Sequence, residues 1–273
     1  MSTYDQLVQR NAGYVPADVQ RRLRSASVLI AGCGIGSAIA ESLVRVGCER
    51  LTLVDGDDVA LHNLNRQDFV LRDVGRRKVE ALADRLRAIN PEARIAAHDA
   101  WIGATNAPAL AAEADLVVDT IDFLDLAGIV ALHDAARAAG KPVISAVSVG
   151  FGAAAVYFPP GSPCTFRQLF GLPAEGPVGG YSYAERFAVV IERLAEKLDP
   201  DVVRAMAKAL TIMEDGRPCP APHVSVGAAS VAALTTTIAL RVLGGRPVTA
   251  APEMILVDMA SAAVLPGIDI APR

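Results

Sequence analysis

Three glycines, one acid and a short polar run stand close together in the first third of the chain, in a pattern that suits phosphate chemistry. Gly32, Gly34 and Gly36 lie in VLIAGCGIGSAIAES, where an apolar run gives way to a helical pattern. A Gly-x-Gly turn at such a junction lets backbone approach a phosphate and aims the N–H groups of the following helix at it. The third glycine of a strict G-x-G-x-x-G would fall at Ser37; here it sits at 36. Asp55 ends LTLVD, at about the 20-residue offset expected of an acid that binds ribose hydroxyls. On these residues alone the ligand could be ATP or a dinucleotide, and a tight turn beside a strand-end acid needs no ligand at all.

HNLNRQ then supplies Asn63, Arg66 and Gln67, with Lys78 behind it. Hydride transfer has no need of such a set directly after a ribose acid. Phosphate chemistry does, because fixed cationic donors must meet charge that develops on transferring phosphates. Arg72, Arg76, Arg77, Arg85 and Arg87 are also nearby, so composition alone leaves a solvated loop and helix face as an equal reading.

The elements that would position these residues alternate. SVLIAG, LTLVD, ARIAAH, DLVVDT and PVISAV read as buried strands. Helical patterns separate them: one through Ile39 and Leu43 ending at Gly47, one over 74–89, and two near 106–114 and 124–140. The alternation predicts an α/β, doubly wound, Rossmann-like and mostly parallel sheet over about 25–150. Beyond Gly150, GAAAVYF reads as a further strand, followed by two amphipathic helices at 182–197 and 200–213 and an apolar helix at 224–243. PEMILVD and AAVLP read as closing strands. We therefore expect one domain over 1–273, whose part from about 151 extends the sheet, carries a helical insertion at about 182–213 and covers the active edge. The insertion's stripe of Tyr183, Phe187, Val190, Ile191 and Leu194 reads as core or dimer contact rather than a substrate groove.

With 52% hydrophobic residues the chain can build a large core, and its net charge of −4 offers no general attraction to nucleic acid or anionic membrane. Cys33, Cys48, Cys164 and Cys219 include no C-x-x-C pair, which fits a reducing compartment and neither a disulfide scaffold nor a zinc site built of cysteine alone. The start, MSTYDQLVQRNAG, lacks the apolar core of a signal peptide. The uncharged run 224–240 is broken by Ser225, Gly227 and Ser230 and reads as a buried helix rather than a membrane span. A cytoplasmic protein is expected.

LVDGDDVALHNLNRQ, GRRKVE and INP resemble the ubiquitin-activating-like adenylyltransferases of the molybdopterin-synthase and thiamine sulfur-carrier type (MoeB/ThiF/HesA), whose pattern runs L-x-D-x-D-x-V-x-x-x-N-L-x-R-Q, G-x-x-K-V-E and I-N-P. The resemblance covers about residues 10–170 and is densest over 51–91. It implies ATP and Mg²⁺ as ligands. Asp55 would hold the ribose hydroxyls, and Asp57 matches the second acid of the pattern at the nucleotide site. Asn63, Arg66 and Gln67 would contact phosphates, with Arg66 at the β/γ end, and Lys78 would stabilise charge on the α-phosphate. DLVVDTIDF resembles D-L-V-x-D-x-x-D-N and places Asp122 at the metal-binding aspartate, with Phe123 where the family has asparagine. A helix N-cap is the other role open to Asp122.

QRNAG resembles the segment from which an arginine reaches across a homodimer to the partner's ATP, and Arg10 matches it. The family's two zinc-binding C-x-x-C pairs are not present: Cys164 occupies the first position of the first pair, Arg167 stands in place of its partner, and no zinc is expected. Cys219 falls near the position of a cysteine that can accept the activated group, though a half-buried loop cysteine accounts for it equally.

The implied activity is ATP-dependent adenylation of a carboxylate at the C-terminus of a small ubiquitin-like sulfur carrier or a peptide. The rival readings are a cyclising dehydratase acting on tRNA, an NAD-dependent oxidoreductase, and a non-catalytic nucleotide-binding scaffold. The acidic balance weighs against the first. The second leaves Arg66, Lys78 and Asp122 idle, and their retention speaks against the third.

Overall fold

Val28, Leu29, Ile30 and Ala31 are buried along their whole run, the pattern of a strand covered by helices on both faces. The computed structural model describes residues 2–181, 183–214 and 222–263. Its elements are α1 (Thr3–Leu7), α2 (Ala17–Ser25), β1 (Ser27–Ala31), α3 (Gly36–Val46), β2 (Arg50–Val54), α4 (Lys78–Ile89), β3 (Arg94–His98), α5 (Ala107–Glu113) and β4 (Leu116–Asp119). They continue as α6 (Leu126–Ala138), β5 (Val143–Val149), β6 (Gly152–Phe158), α7 (Phe166–Leu169), α8 (Tyr183–Leu194), α9 (Pro200–Glu214), α10 (Ser225–Leu243), β7 (Ile255–Val257) and α11 (Met259–Ala262).

The seven strands form one sheet in the order β3-β2-β1-β4-β5-β6-β7. The first five run parallel, and β6 and β7 are antiparallel additions. This is the expected doubly wound architecture with a C-terminal extension. Chain order reverses between β1 and β4, and there Gly32, at φ +88°, lies against the loop after β4. A Cβ on Gly32 would overlap the Thr120 carbonyl, while the Thr120 hydroxyl donates to the Gly32 carbonyl at 2.7 Å. Gly36 lets α3 sit down on the sheet: a Cβ there would come within 2.7 Å of Thr120 Oγ1 and 2.8 Å of an Ile30 methyl.

One face of the sheet packs on α3, α4 and α10 through residues such as Ile39, Leu43, Leu82 and Val231. The other packs on α5, α6 and α7 through Ile129, Leu132, Phe166 and Phe170. α10 is long and apolar enough to cross a membrane by length and composition; in this fold it packs across the sheet through Val231, Ile238 and Ala239. The inserted pair α8–α9 covers the projecting ends of β5 and β6, where Leu194, Leu198 and Val202 meet Val149 and Ala154. Val190 and Leu194 of the insertion's stripe pack in this core; the side chains of Tyr183, Phe187 and Ile191 lie outside the described residues.

Three expectations need correction. The helix expected from 74 begins at Lys78, because Val74–Arg77 is tied back to the 57–59 loop instead: Gly75 N–H donates to the Val59 carbonyl, Val59 N–H to Arg76, and Lys78 N–H to Asp57. Asp122 does not cap α6. Asp125 does, accepting from Gly128 N–H at 2.9 Å. AAVLP does not open as a strand, since Asp258 caps the short helix α11 through Ala262; residues 264–266 lie outside the described residues. The N-terminal helix α2, buried through Val19 and Leu23, had no counterpart in the periodicity reading.

Candidate functional site

The C-terminal ends of β2, β1, β4 and β5 open into one cleft of about 750 Å³, the usual place for a ligand in an open α/β sheet. Asp55 follows β2 and is buried. Its two oxygens accept from Cys33 N–H at 2.6 Å and Asp57 N–H at 2.8 Å, so the acid is fixed against the glycine turn with lone pairs remaining for hydroxyl donors. Burial pushes its pKa up, and Lys78 together with the two backbone donors opposes that rise.

HNLNRQ folds as a tight turn in which Arg66 and Gln67 N–H both donate to the Asn63 carbonyl. That turn sends Asn63 and Gln67 inward and Arg66 to the mouth of the cleft. Asn63 Oδ1 accepts from Ala60 N–H at 2.9 Å, which leaves its amide nitrogen for a ligand. Gln67 Oε1 is buried without a partner, and Gln67 Nε2 lies 3.2 Å from where a Cβ on Gly34 would stand. Gly34 thus keeps a cradle open beside an orphaned amide. Arg66 Nη1 donates to the His62 carbonyl and Asn65 Oδ1. Burial lowers its pKa, with Asp122 opposing.

Lys78 opens α4 with a buried side chain, and its Nζ lies 2.6 Å from Asp57 Oδ2. Asp122 is exposed in the loop after β4, with Oδ1 accepting from Leu124 N–H. The cleft is lined by Gly32, Gly34, Asp55, Asp57, Asn63, Arg66, Gln67, Lys78 and Asp122. Gly36 supports it from beneath α3. The neighbouring arginines go elsewhere: Arg76 pairs with Asp84, Arg77 with Asp99, and Arg85 with Glu41. Arg10 is exposed in the turn Gln9–Asn11 and is not among the residues lining the cleft. Cys219 lies outside the described residues. Burial raises the thiol pKa of Cys33, of Cys164 and of Cys48, the last to about 12, so none of these three is a poised nucleophile.

Several contributors escaped the sequence reading. Asp119 ends β4 as Asp55 follows β2; its carboxylate accepts from Ser145 Oγ at 2.8 Å and Ile121 N–H at 3.2 Å, and lies 3.0 Å from His133 Nε2. The strand-end position that drew attention to Asp55 was available for Asp119 too. His133 is wedged between the Phe158 and Phe166 rings, so the cluster holds the loop that carries Asp122. Trp101 packs over Gly56 at the outer wall. Where a second cysteine of a pair would stand, buried Arg167 binds Asp134 through Nε and Nη2 and the carbonyls of Pro173 and Gly176.

His223, just before α10, faces Arg66 and Asp122. Burial first and Arg66 second lower its pKa to about 4, with Asp122 opposing. An unfolded histidine titrates near 6.5, so between about pH 4 and 6.5 the unfolded chain binds the extra proton and stability rises with pH. Thermal melts are expected to show stability falling from pH 7 to 4.5, with on the order of 2 kcal/mol of that loss missing in His223→Asn. Equal pH slopes for the two proteins would contradict this placement of His223.

The model of the ThiF family matches residues 8–270. The chain is 35% identical over 162 residues to the sulfur carrier protein adenylyltransferase of Thermus thermophilus, covering 56% of this chain and 59% of that protein. It is 44% identical over 91 residues to the tRNA threonylcarbamoyladenosine dehydratase of Escherichia coli, covering 33% and 34%. The chain thus spans less than two thirds of the length of these curated relatives. The crystal structure of E. coli MccB with ATP shares the fold, with a TM-score of 0.67 at 22% identity over 93% of this chain and 68% of that one.

Proposed function

The chain belongs to the ThiF family, and from that premise we propose that it is an adenylyltransferase that uses ATP to activate a carboxylate. The observation that carries this reading is the convergence of Asp55, Asn63, Arg66, Gln67, Lys78 and Asp122 on one cleft from four separate segments. In the proposed reaction the ribose hydroxyls lie against Asp55. The glycine turn and the first N–H groups of α3 face the phosphates. The Asn63 amide, Gln67 and Arg66 hold the phosphate oxygens, and Lys78 leaves Asp57 to meet charge at the α-phosphate.

A carboxylate oxygen attacks the α-phosphorus, the bond to the bridging oxygen breaks, and pyrophosphate leaves with the electron pair. The product is an acyl-adenylate. The step needs positioning and fixed positive charge rather than a protein nucleophile. Asp122 offers the hard oxygen donor that suits Mg²⁺, which would neutralise phosphate charge.

The proposed acyl substrate is the C-terminus of a small ubiquitin-like sulfur carrier or a peptide, and the proposed assembly is a homodimer in which Arg10 reaches the partner's site. The name of the Thermus relative supports the carrier reading. The local 44% identity to a tRNA-modifying enzyme keeps a second reading open, in which the activated carboxylate sits on tRNA.

Exchange of labelled pyrophosphate into ATP tests both. Exchange driven by carrier or peptide termini is expected. Exchange driven only by threonylcarbamoyl-tRNA would select the second reading, and tight NAD binding without exchange from any carboxylate would exclude both.

A further inference from the structure

The cleft is larger than its polar half. Along the sheet, the acids Asp55 and Asp122 mark the β2 and β4 positions, with the glycine turn of β1 between them. If the ribose lies at Asp55 and the pyrophosphate leaves toward Arg66, in-line attack on the α-phosphorus comes from the opposite side, across the end of β4. The same cleft continues past that point over β5 and β6. There its walls are Val156 and Phe158 of β6, Phe166 and Leu169 of α7, Met206 of the insertion and Met254 before β7. These six side chains carry no charge. Ser145, paired with Val156 and donating to Asp119, lines the same cleft on this face of the sheet.

The strands explain why the chamber exists. β5 and β6 run past the end of β4, whose last paired residue, Asp119, lies opposite Ser145. On the chamber side the projecting hairpin presents the pair Val147 and Ala154, while Ala146, Ser148, Ala153 and Ala155 face α10. Such a wall fills little of the space above it, and the larger side chains of α7 and α9 close the far side.

Resting on the adenylation reading, we propose that this chamber receives an apolar side chain on the C-terminal residue of the peptide substrate. The acyl group is therefore leucine-, methionine- or phenylalanine-like rather than the bare Gly-Gly of a ubiquitin-like carrier. The carboxylate must reach the α-phosphate, and the α-carbon that bears it then sits at the chamber mouth. A glycine there leaves apolar walls facing water. A branched or aromatic side chain buries apolar surface in the chamber, a gain that grows with each methylene.

The test is pyrophosphate exchange with four synthetic peptides of common sequence ending in Gly-Gly, Gly-Leu, Gly-Phe and Gly-Asp. Exchange with Gly-Leu or Gly-Phe is expected to exceed that with Gly-Gly by at least about tenfold in kcat/KM. Equal or better exchange with Gly-Gly, or with Gly-Asp, overturns the proposal and leaves the adenylation reading standing. Exchange absent with all four, and with carrier proteins, takes down both. Val156→Phe, which fills the chamber, is expected to erase most of the preference, with a thermal melt confirming that the variant is folded. An undiminished preference in that folded variant also overturns the proposal.

Discussion

Pyrophosphate exchange into ATP is expected to fall by about two to three orders of magnitude in Arg66→Ala, the size seen when one fixed donor is removed from developing charge. The tight turn at Asn63 and the bonds from Nη1 to the His62 carbonyl and Asn65 Oδ1 set Arg66 in place before any ligand arrives. Little reorganisation is then left for the moment of reaction. Truncation removes a half-buried cation and leaves Asp122 and His223 without their shared positive neighbour. Arg66→Lys is expected to recover only part of the loss, since an ammonium keeps the charge but not the planar fork. The loss should lie in kcat more than in the KM for ATP. A loss below tenfold would return Arg66 to the status of a surface arginine.

Arg167→Ala is expected to lower unfolding free energy by about 3 kcal/mol, from lost charge-assisted hydrogen bonds and two newly unpaired carbonyls. One guanidinium gathers α6, α7 and the loop of Pro173 and Gly176. The exposed position of Asp134 moderates the value of the ion pair itself, because solvent screens it. Urea denaturation measures the change. Arg167→Cys is expected to be as unstable as Arg167→Ala with or without added zinc, since Cys164 and one new thiolate supply only two of the four ligands that zinc takes. Rescue by zinc would mean that further ligands are within reach.

The parallel half of the fold was legible because strand runs, glycine turns and helical spacing agreed. The misreadings came from contacts that periodicity does not record. Val74–Arg77 looks helical, yet Gly75 at φ +86° and the bridge between Asp58 and Arg77 hold it as a turn. Asp122 and Asp125 are both placed to cap α6, and only geometry chose between them. Within the site, the residues of the dense motif at 51–91 line the cleft together, as local spacing suggested. Asp119, His133 and Ser145 meet from three separate elements. The apolar chamber draws one or two residues each from β6, α7, α9 and the segment before β7, and no local pattern announces such a set.

The packing of Gly32 against Thr120 carries a consequence for the order of assembly. The glycine turn is written entirely in the first 36 residues, but it packs against a carbonyl contributed by the loop after β4. A chain emerging from the ribosome can pair β1 with β2 and dock α3, yet the turn stays open on one side until residue 120 arrives. Such a long-range closure comes late because the intervening loop must be ordered first. On the proposed adenylation reading, nucleotide affinity is therefore a property that the nascent protein acquires only after β4 has joined the sheet.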